Sequence, residues 1–329
     1  MGDLARILVY GDLHLSSKNY GSHNNYPKES LDILRLITDK ASEIQATHIV
    51  GLGDFAFGRF HTLEYRTAVE AELEKQYQIC SGNRYELKGN HDSAGYGMTE
   101  YEYYIGKGLL KPSTNLAFGD VRITMADYGA LHKIQPNFEP NCTNFLFAHD
   151  FLSFKGLPIP NYGKCVEMDN MPGLFGLDIA VCGHIHTSGQ YRGVMIGKSP
   201  DGTNISRDVM LDYLGAMTRP AYLGDATDKV GHMLVIKIKD DGYVDYDRLD
   251  INLPPIEEIF NLAEIAAKHA KAEAREEDKR DRLDVSDIVH SLDEHERAIM
   301  NPEDFILSLP GVDERVKTKA IELLKMSGA

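Results

Sequence analysis

Four apolar runs and one alternating apolar-polar segment in the first 190 or so residues each stop at a small polar cluster rich in aspartate, asparagine and histidine. Residues 5–10 run into Gly11-Asp12-Leu13-His14-Leu15, residues 47–52 into Gly53-Asp54, and residues 84–88 into Gly89-Asn90-His91-Asp92. Residues 144–148 run into His149-Asp150, and residues 178–182 into Gly183-His184-Ile185-His186. A buried strand followed at once by glycine, carboxylate and imidazole is a rigid element delivering a loop, where chemistry tends to sit. Carboxylates and imidazoles are poor core material unless something pairs with them. The repetition therefore favours folds in which several strand ends converge on one edge.

The segments between the clusters support such a fold. Residues 29–43 carry Leu31, Leu34, Ile37 and Ala41 at helical spacing, and residues 63–78 read as a second helix. The order β-α-β-α-β is that of a layered α/β sheet. After Pro112 strands dominate, at residues 121–125, 144–148, 178–182, 209–214, 233–239 and 243–249, with Gly242 in a hairpin turn. The expectation is an α/β protein whose second sheet packs on the first, a two-sheet sandwich flanked by helices.

A chain of 329 residues can bury a full core, and 43% apolar with 26% charged residues is ordinary for a globular protein. No apolar run is long enough to span a bilayer and no signal peptide is visible, so a cytoplasmic protein without membrane association is expected. Cys80, Cys142, Cys165 and Cys182 lack paired spacing and read as free thiols. A net charge of −15 argues against a simple nucleic-acid binder, whose affinity comes from a basic surface. It leaves open an enzyme acting on phosphate groups through bound cations.

Pooled, the clusters offer several carboxylates, one amide and at least four imidazoles, with no thiolate. That nitrogen and oxygen set suits Mn²⁺, Fe²⁺ or Zn²⁺ and is too rich for one ion. Two ions about 3.5–4 Å apart, sharing a carboxylate, form the clamp used for in-line phosphoryl displacement.

The series Asp12-x-His14, Gly53-Asp54, Gly89-Asn90-His91-Asp92, His149 and Gly183-His184-x-His186 resembles the calcineurin-like metallophosphoesterase superfamily over residues 5–250. The resemblance implies a two-sheet metallophosphoesterase sandwich with a small β-rich cap and a C-terminal helical appendage. It also implies two divalent metal ions, with Asp12, His14, Asp54 and His186 around one and Asp54, Asn90, His149 and His184 around the other. His91 would then protonate the leaving oxygen, and Asp92 would orient its neighbours. The appendage at 256–329 follows from the composition change after Pro254-Pro255, and the division of the rest into a core, 1–205, and remaining core strands with a cap, 206–255, is what the resemblance implies.

Gly11-Asp12-Leu13-His14-Leu15 and the strand end Tyr213-Leu214-Gly215-Ala216-Met217-Thr218-Arg219-Pro220 are further similar to SbcD-type double-strand-break repair nucleases of bacteria and bacteriophages. That resemblance implies Mn²⁺, DNA as substrate, a homodimer, a host cytoplasm if phage-encoded, and an SbcC-type coiled-coil ATPase docked on the terminal helices. The ATPase would act in trans, because Gly197-Lys198-Ser199 has Arg192 where a phosphate loop requires its first glycine. The chain departs from the nuclease pattern at Phe57, where a histidine is usual, and His61 nearby reads as a surface histidine. A small-substrate phosphatase or phosphodiesterase is the competing enzyme, and a scaffold with a vestigial site the competing non-enzyme.

In the appendage, residues 256–283 lack Gly and Pro and read as one long solvated helix. Asn301-Pro302-Glu303-Asp304 is a helix start. Residues 305–312 resemble the hairpin of helix-hairpin-helix modules, and residues 314–326 form a last amphipathic helix whose Ile321, Leu323 and Leu324 suit a protein partner.

Overall fold

The computed structural model describes residues 2–19, 22–57, 61–93, 98–134, 136, 138–155, 165–198, 204–219, 231–251, 253–275, 306–307 and 313–326. Two compact units divide the chain, Met1–Phe260 and Asn261–Ala329.

The first unit begins with β1 (Asp3–Tyr10), α1 (Tyr26–Glu43), β2 (His48–Gly51), α2 (Leu63–Ile79), β3 (Arg84–Glu86) and α3 (Glu100–Gly106). It continues through β4 (Leu116–Phe118), β5 (Val121–Ala126), β6 (Thr143–Ala148), β7 (Leu152–Ser153) and β8 (Val166–Glu167). The last strands are β9 (Ile179–Cys182), β10 (Gly189–Lys198), β11 (Asn204–Tyr213), β12 (His232–Lys239) and β13 (Val244–Asp250).

One sheet has the order β13-β12-β1-β2-β3 and the other β10-β11-β9-β6-β5-β4. Strands β1, β2 and β3 run parallel, as do β5, β6, β9 and β11, so within each sheet their carboxyl ends share an edge. The alternation of β1 explains the layering. Ala5, Ile7 and Val9 face the second sheet, packing in one cluster with Val121, Ile123, Phe145 and Phe147. Leu8 and Tyr10 point the other way, into Ile33, Leu34, Ile37 and Leu73 of the helical layer. A strand buried on both faces needs the continuous apolar run seen in the sequence. Each such side chain fully withdrawn from water contributes about 1.5–3 kcal/mol. The outer face of the second sheet is covered by Phe151, Leu152, Phe154, Met168 and Leu174, in and beside short strands and 3₁₀ turns.

The two-sheet α/β sandwich is as expected, and the β12–β13 turn closes with Gly242 at φ +82°. Helix α3, the long strand β10 and the short strands β4, β7 and β8 escaped the sequence reading. The long helix expected from residue 256 is interrupted. Ile256–Ile259 forms one turn, Phe260 is extended, and residues 262–275 are helical. The break has a packing cause: Phe260 is 2% exposed, packs on His23 with ring centroids 4.3 Å apart and planes tilted by 46°, and bridges to its backbone. Residues 276–283 lie outside the described residues.

In the second unit, the helix Glu314–Met326 buries Ala320 against Ile306, with Val316 and Ile321 beside them. Leu323 is exposed, and residues 262–275 are almost wholly solvated. The expected helix start at residues 301–304 and, apart from Ile306 and Leu307, the hairpin at 305–312 lie outside the described residues, as do Ser199 and Pro220. No helix among the described residues is long and apolar enough to cross a membrane.

Candidate metal centre

The loops that follow β1, β2, β3, β6 and β9 are stitched together by their backbones before any side chain is considered. The Leu13 and His14 N–H groups donate to Asp54 O at 3.2 and 2.8 Å, and Leu15 N–H donates to Phe55 O. Gly183 N–H donates to Ala148 O at 3.0 Å, and Met217 N–H to Asp12 O at 2.8 Å. The 213–219 segment singled out in the sequence thus serves as a brace. Thr218 Oγ1 donates to Leu13 O at 2.9 Å, and the Tyr26 hydroxyl to His14 O at 2.8 Å. Gly89 is required by close approach, because a Cβ there would lie 2.1 Å from Asp54 Oδ1 and 2.3 Å from Asp54 N.

Three of these loop residues hold left-handed backbone conformations, His14 at φ +48°, Asp54 at +50° and His184 at +71°. Non-glycine residues adopt this region at a cost, and such positions cluster at functional sites.

The side chains meet in two groups that share Asp54. Asp12, His14, Asp54 and His186 offer donor atoms all within 4.8 Å of one another, as do Asp54, His149 and His184. In the first group His14 Nε2 and His186 Nε2 are 3.0 Å apart, His186 Nε2 is 3.5 Å from Asp12 Oδ2, and His14 Nε2 is 4.0 Å from Asp54 Oδ2. In the second, Asp54 Oδ2 lies 3.3 Å from His149 Nε2. Asn90 Oδ1 joins it, 3.1 Å from His149 Nε2 and 3.0 Å from His184 Nδ1. Neighbouring ligands on one ion with bonds of about 2.1 Å stand about 3–3.5 Å apart.

Two further observations fit a metal. Asp12 Oδ2 is buried without a hydrogen-bond partner, a costly arrangement for a carboxylate oxygen unless an ion or water completes it. His149 Nδ1 donates to Leu52 O at 2.6 Å, which fixes the tautomer and leaves Nε2 with its lone pair toward the cluster.

The electrostatics favour positive charge at the centre. Burial pushes the Asp12 carboxyl up to about 7, with His149 opposing the shift and Asp54 adding to it. Burial also acts to raise Asp54, but the hydrogen bond and charge of His149, then His14 and the His91 N–H, outweigh it and hold the carboxyl well below its usual range. His149 is disfavoured as a cation by burial, yet Asp54 and Asp12 raise it to about 9. Burial lowers His184 to about 4, with His149 next in importance, and holds His14 and His186 below the ordinary imidazole value.

The remaining sequence candidates sit around this cluster. His91 is exposed, its backbone N–H donating to Asp54 Oδ1 at 2.8 Å, its ring 5.1 Å from His14 and 4.9 Å from Phe57. Asp92 is 1% exposed, and its carboxylate accepts the N–H groups of Phe55, Ala56 and Gly89 at 3.2, 3.1 and 2.9 Å, tying two donor loops together. Burial pushes it up to about 7, helped by Asp54. Asp150 accepts Gly129 N–H at 3.1 Å and stands outside both donor groups.

His61 is not the surface histidine expected. It is 8% exposed, with Nε2 2.9 Å from Leu15 O and Nδ1 3.8 Å from Glu100, because α3 closes over it. Missed altogether were Tyr128, whose ring lies 5.4 Å from His184, and the buried pair Arg84 and Glu86 beneath the Gly53 turn. A lone tyrosine after a strand carries no spacing signal. The alternating charges in Arg84-Tyr85-Glu86 look like a solvated strand face.

A family model described as calcineurin-like phosphoesterase matches residues 5–188, more than half the chain. No curated protein sequence matches the chain. Among solved structures, a dimetal phosphatase from Danio rerio is similar at 12% identity and TM-score 0.40, covering 77% of this chain and 100% of its own. The phosphoesterase Yfce from E. coli is similar at 14% identity and TM-score 0.31, covering 75% and 100%. Vps29 from Chaetomium thermophilum is similar at 12% identity and TM-score 0.33, covering 76% and 100%. The extent of the family match, spanning every donor loop from Asp12 to His186, establishes that the chain belongs to the calcineurin-like phosphoesterase family.

Proposed function

We propose that the protein is a two-metal phosphodiesterase acting on DNA, the nuclease subunit of an SbcCD-like repair complex. The observation that carries the chemistry is Asp54, a single carboxylate shared by two donor groups that otherwise have no residue in common. Asp12, His14, Asp54 and His186 would hold one divalent ion, and Asp54, Asn90, His149 and His184 the other. Such a pair supplies Lewis acidity toward phosphoryl oxygens and acidifies water. A mixed nitrogen and oxygen donor set without thiolate is compatible with Mn²⁺.

The chain's own residues do the rest. The Asp92 carboxylate holds the 53–56 and 89–92 loops in register, so the bridging group and Asn90 keep their separation. His91 stands at the exposed rim, anchored through its N–H to the bridging carboxylate, and its imidazole donates a proton to the leaving oxygen. DNA as substrate is supported by the resemblance at residues 11–15 and 213–220 to SbcD-type nucleases. The separate unit Asn261–Ala329, with exposed Leu323, is the surface offered to a coiled-coil ATPase. A homodimer belongs to the same reading.

The charge of −15 and Phe57 in place of the usual histidine favour a second reading, a phosphodiesterase or phosphatase for small nucleotide-type substrates. Purified protein assayed with Mn²⁺ on linear duplex DNA, single-stranded DNA and bis(p-nitrophenyl) phosphate separates the two. DNA degradation supports the first. Cleavage of the small ester with DNA left intact, partner ATPase present, supports the second.

A further inference from the structure

We propose that Tyr128 is a stacking platform for the nucleobase next to the scissile phosphate, an inference that rests on the phosphodiesterase reading above. Tyr128 is 48% exposed, and among the described residues it is the one exposed large apolar side chain whose ring contacts metal-donor rings. Its centroid lies 5.4 Å from that of His184, with the planes tilted by 43°, and 6.1 Å from that of His149. It therefore stands beside the donor group of Asp54, Asn90, His149 and His184, with part of its surface open to solvent. Phe57 flanks His14 and His91 at the other donor group but is half-buried.

An exposed aromatic on a loose loop would mean little. This one is held. Tyr128 N–H donates to Lys88 O at 2.9 Å, and Lys88 N–H returns a bond to Asp127 Oδ1 at 2.9 Å, joining the loop to the strand end that delivers Asn90. On the other side Gly129, at φ +66°, donates its N–H to the buried Asp150 carboxylate at 3.1 Å, and Asp150 follows the donor His149 directly. The ring is thus referenced on both flanks to residues adjoining metal donors, and its distance to the reacting phosphate is set by the same backbone. A rigid ring beside a phosphate site, with an open apolar surface, is the arrangement by which proteins hold single-stranded bases. The interaction tolerates any base because every base has a π-face. The platform also accounts for Asp150, which otherwise has no part in the chemistry.

The test compares two diesters with the same leaving group, thymidine 5′-(p-nitrophenyl) phosphate and methyl p-nitrophenyl phosphate, in Mn²⁺-loaded full-length protein. Base stacking at this strength predicts that Tyr128→Ala lowers kcat/KM for the thymidine ester by about ten- to a hundredfold. The methyl ester should change less than about twofold, and Tyr128→Phe should retain most activity on both. Tyr128→Leu keeps apolar bulk against His184 without a stacking face and should behave as the alanine variant does. Calorimetric binding of dithymidine to metal-free protein should weaken in parallel. Equal losses on both esters would make Tyr128 a prop for His184 and overturn the proposal, as would unchanged values on both. Should the wild type cleave neither ester, the phosphodiesterase reading fails by itself, and the dithymidine titration still decides the platform. Equal affinity of wild type and Tyr128→Leu for dithymidine overturns it.

Discussion

Replacing Arg84 with methionine exposes what the ion pair beneath the site contributes. Arg84 and Glu86 are both fully buried, with Nη2 2.8 Å from Glu86 Oε2. The other donors to Glu86 are the Tyr10 hydroxyl at 2.6 Å and, on Oε1, the Gly53 N–H at 3.3 Å. Methionine fills much of the volume and removes the charge, leaving a buried carboxylate with neutral donors only. Such a group takes up a proton in preference to remaining ionised. From an ordinary glutamate value, protonation at pH 7 costs about 4 kcal/mol, since each pKa unit is about 1.4 kcal/mol. The figure agrees with the roughly 3–5 kcal/mol lost when one partner of a buried pair is deleted. Burial already raises Glu86 in the wild type, with Arg84 the main opposing influence, so the variant raises it further. A raised carboxyl value contributes stability below the unfolded value of about 4.3 and loses it as pH climbs toward the folded value. The deficit of Arg84→Met should therefore be larger at pH 7 than at pH 5, by at most about 2–3 kcal/mol, measured by urea unfolding of metal-free protein through its tyrosine signal. Adding Glu86→Gln should abolish that difference. A deficit equal at both pH values, or below about 1 kcal/mol at pH 7, would refute the reasoning.

Asp54→Ala should lose both ions together, read as metal per chain by elemental analysis, whereas His184→Ala should weaken one site selectively. His91→Ala should keep both ions and lose about 10²–10⁴-fold in kcat on a diester, the range for general acid catalysis; loss of metal instead would place His91 among the ligands. Metal uptake should release protons and strengthen as pH rises from about 7 to about 9, because Asp12 and His149 hold protons up to those values in the metal-free cluster. Calorimetry in buffers of different ionisation enthalpy checks this. By the same linkage His149 stabilises the metal-free fold below about 6.5, and that contribution is lost as pH rises through about 9.

The donor loops were legible because four of them follow apolar runs that stop abruptly at glycine or histidine, and the fifth follows the alternating segment 84–88, which ends at Gly89. What escaped has physical reasons. Strand β10 reads Gly-Gln-Tyr-Arg-Gly-Val-Met-Ile-Gly-Lys, and its glycines blur the alternation. Gly193 is small because Phe154 occupies the space a Cβ would need. Helix α3 is short and rich in tyrosine, poor helix material, yet the Thr99–Glu102 capping box was a readable signal. The helix from residue 256 was drawn without its break because composition does not reveal that Phe260 docks on His23. Tyr128 and the left-handed conformations of His14, Asp54 and His184 depend on tertiary packing, which no local pattern reports.

Asp12, His14, Asp54 and Asn90 follow strands of one sheet, while His149, His184 and His186 follow strands of the other. An ion in either pocket is consequently a rivet through two leaves, and its affinity is added to the adhesion between them. Heating in a chelator should part the leaves earlier than heating in manganese. A fragment ending before β6 would keep Asp12, His14, Asp54 and Asn90 without the imidazoles of His149, His184 and His186. Closing the sandwich and arming it are, for this chain, a single event.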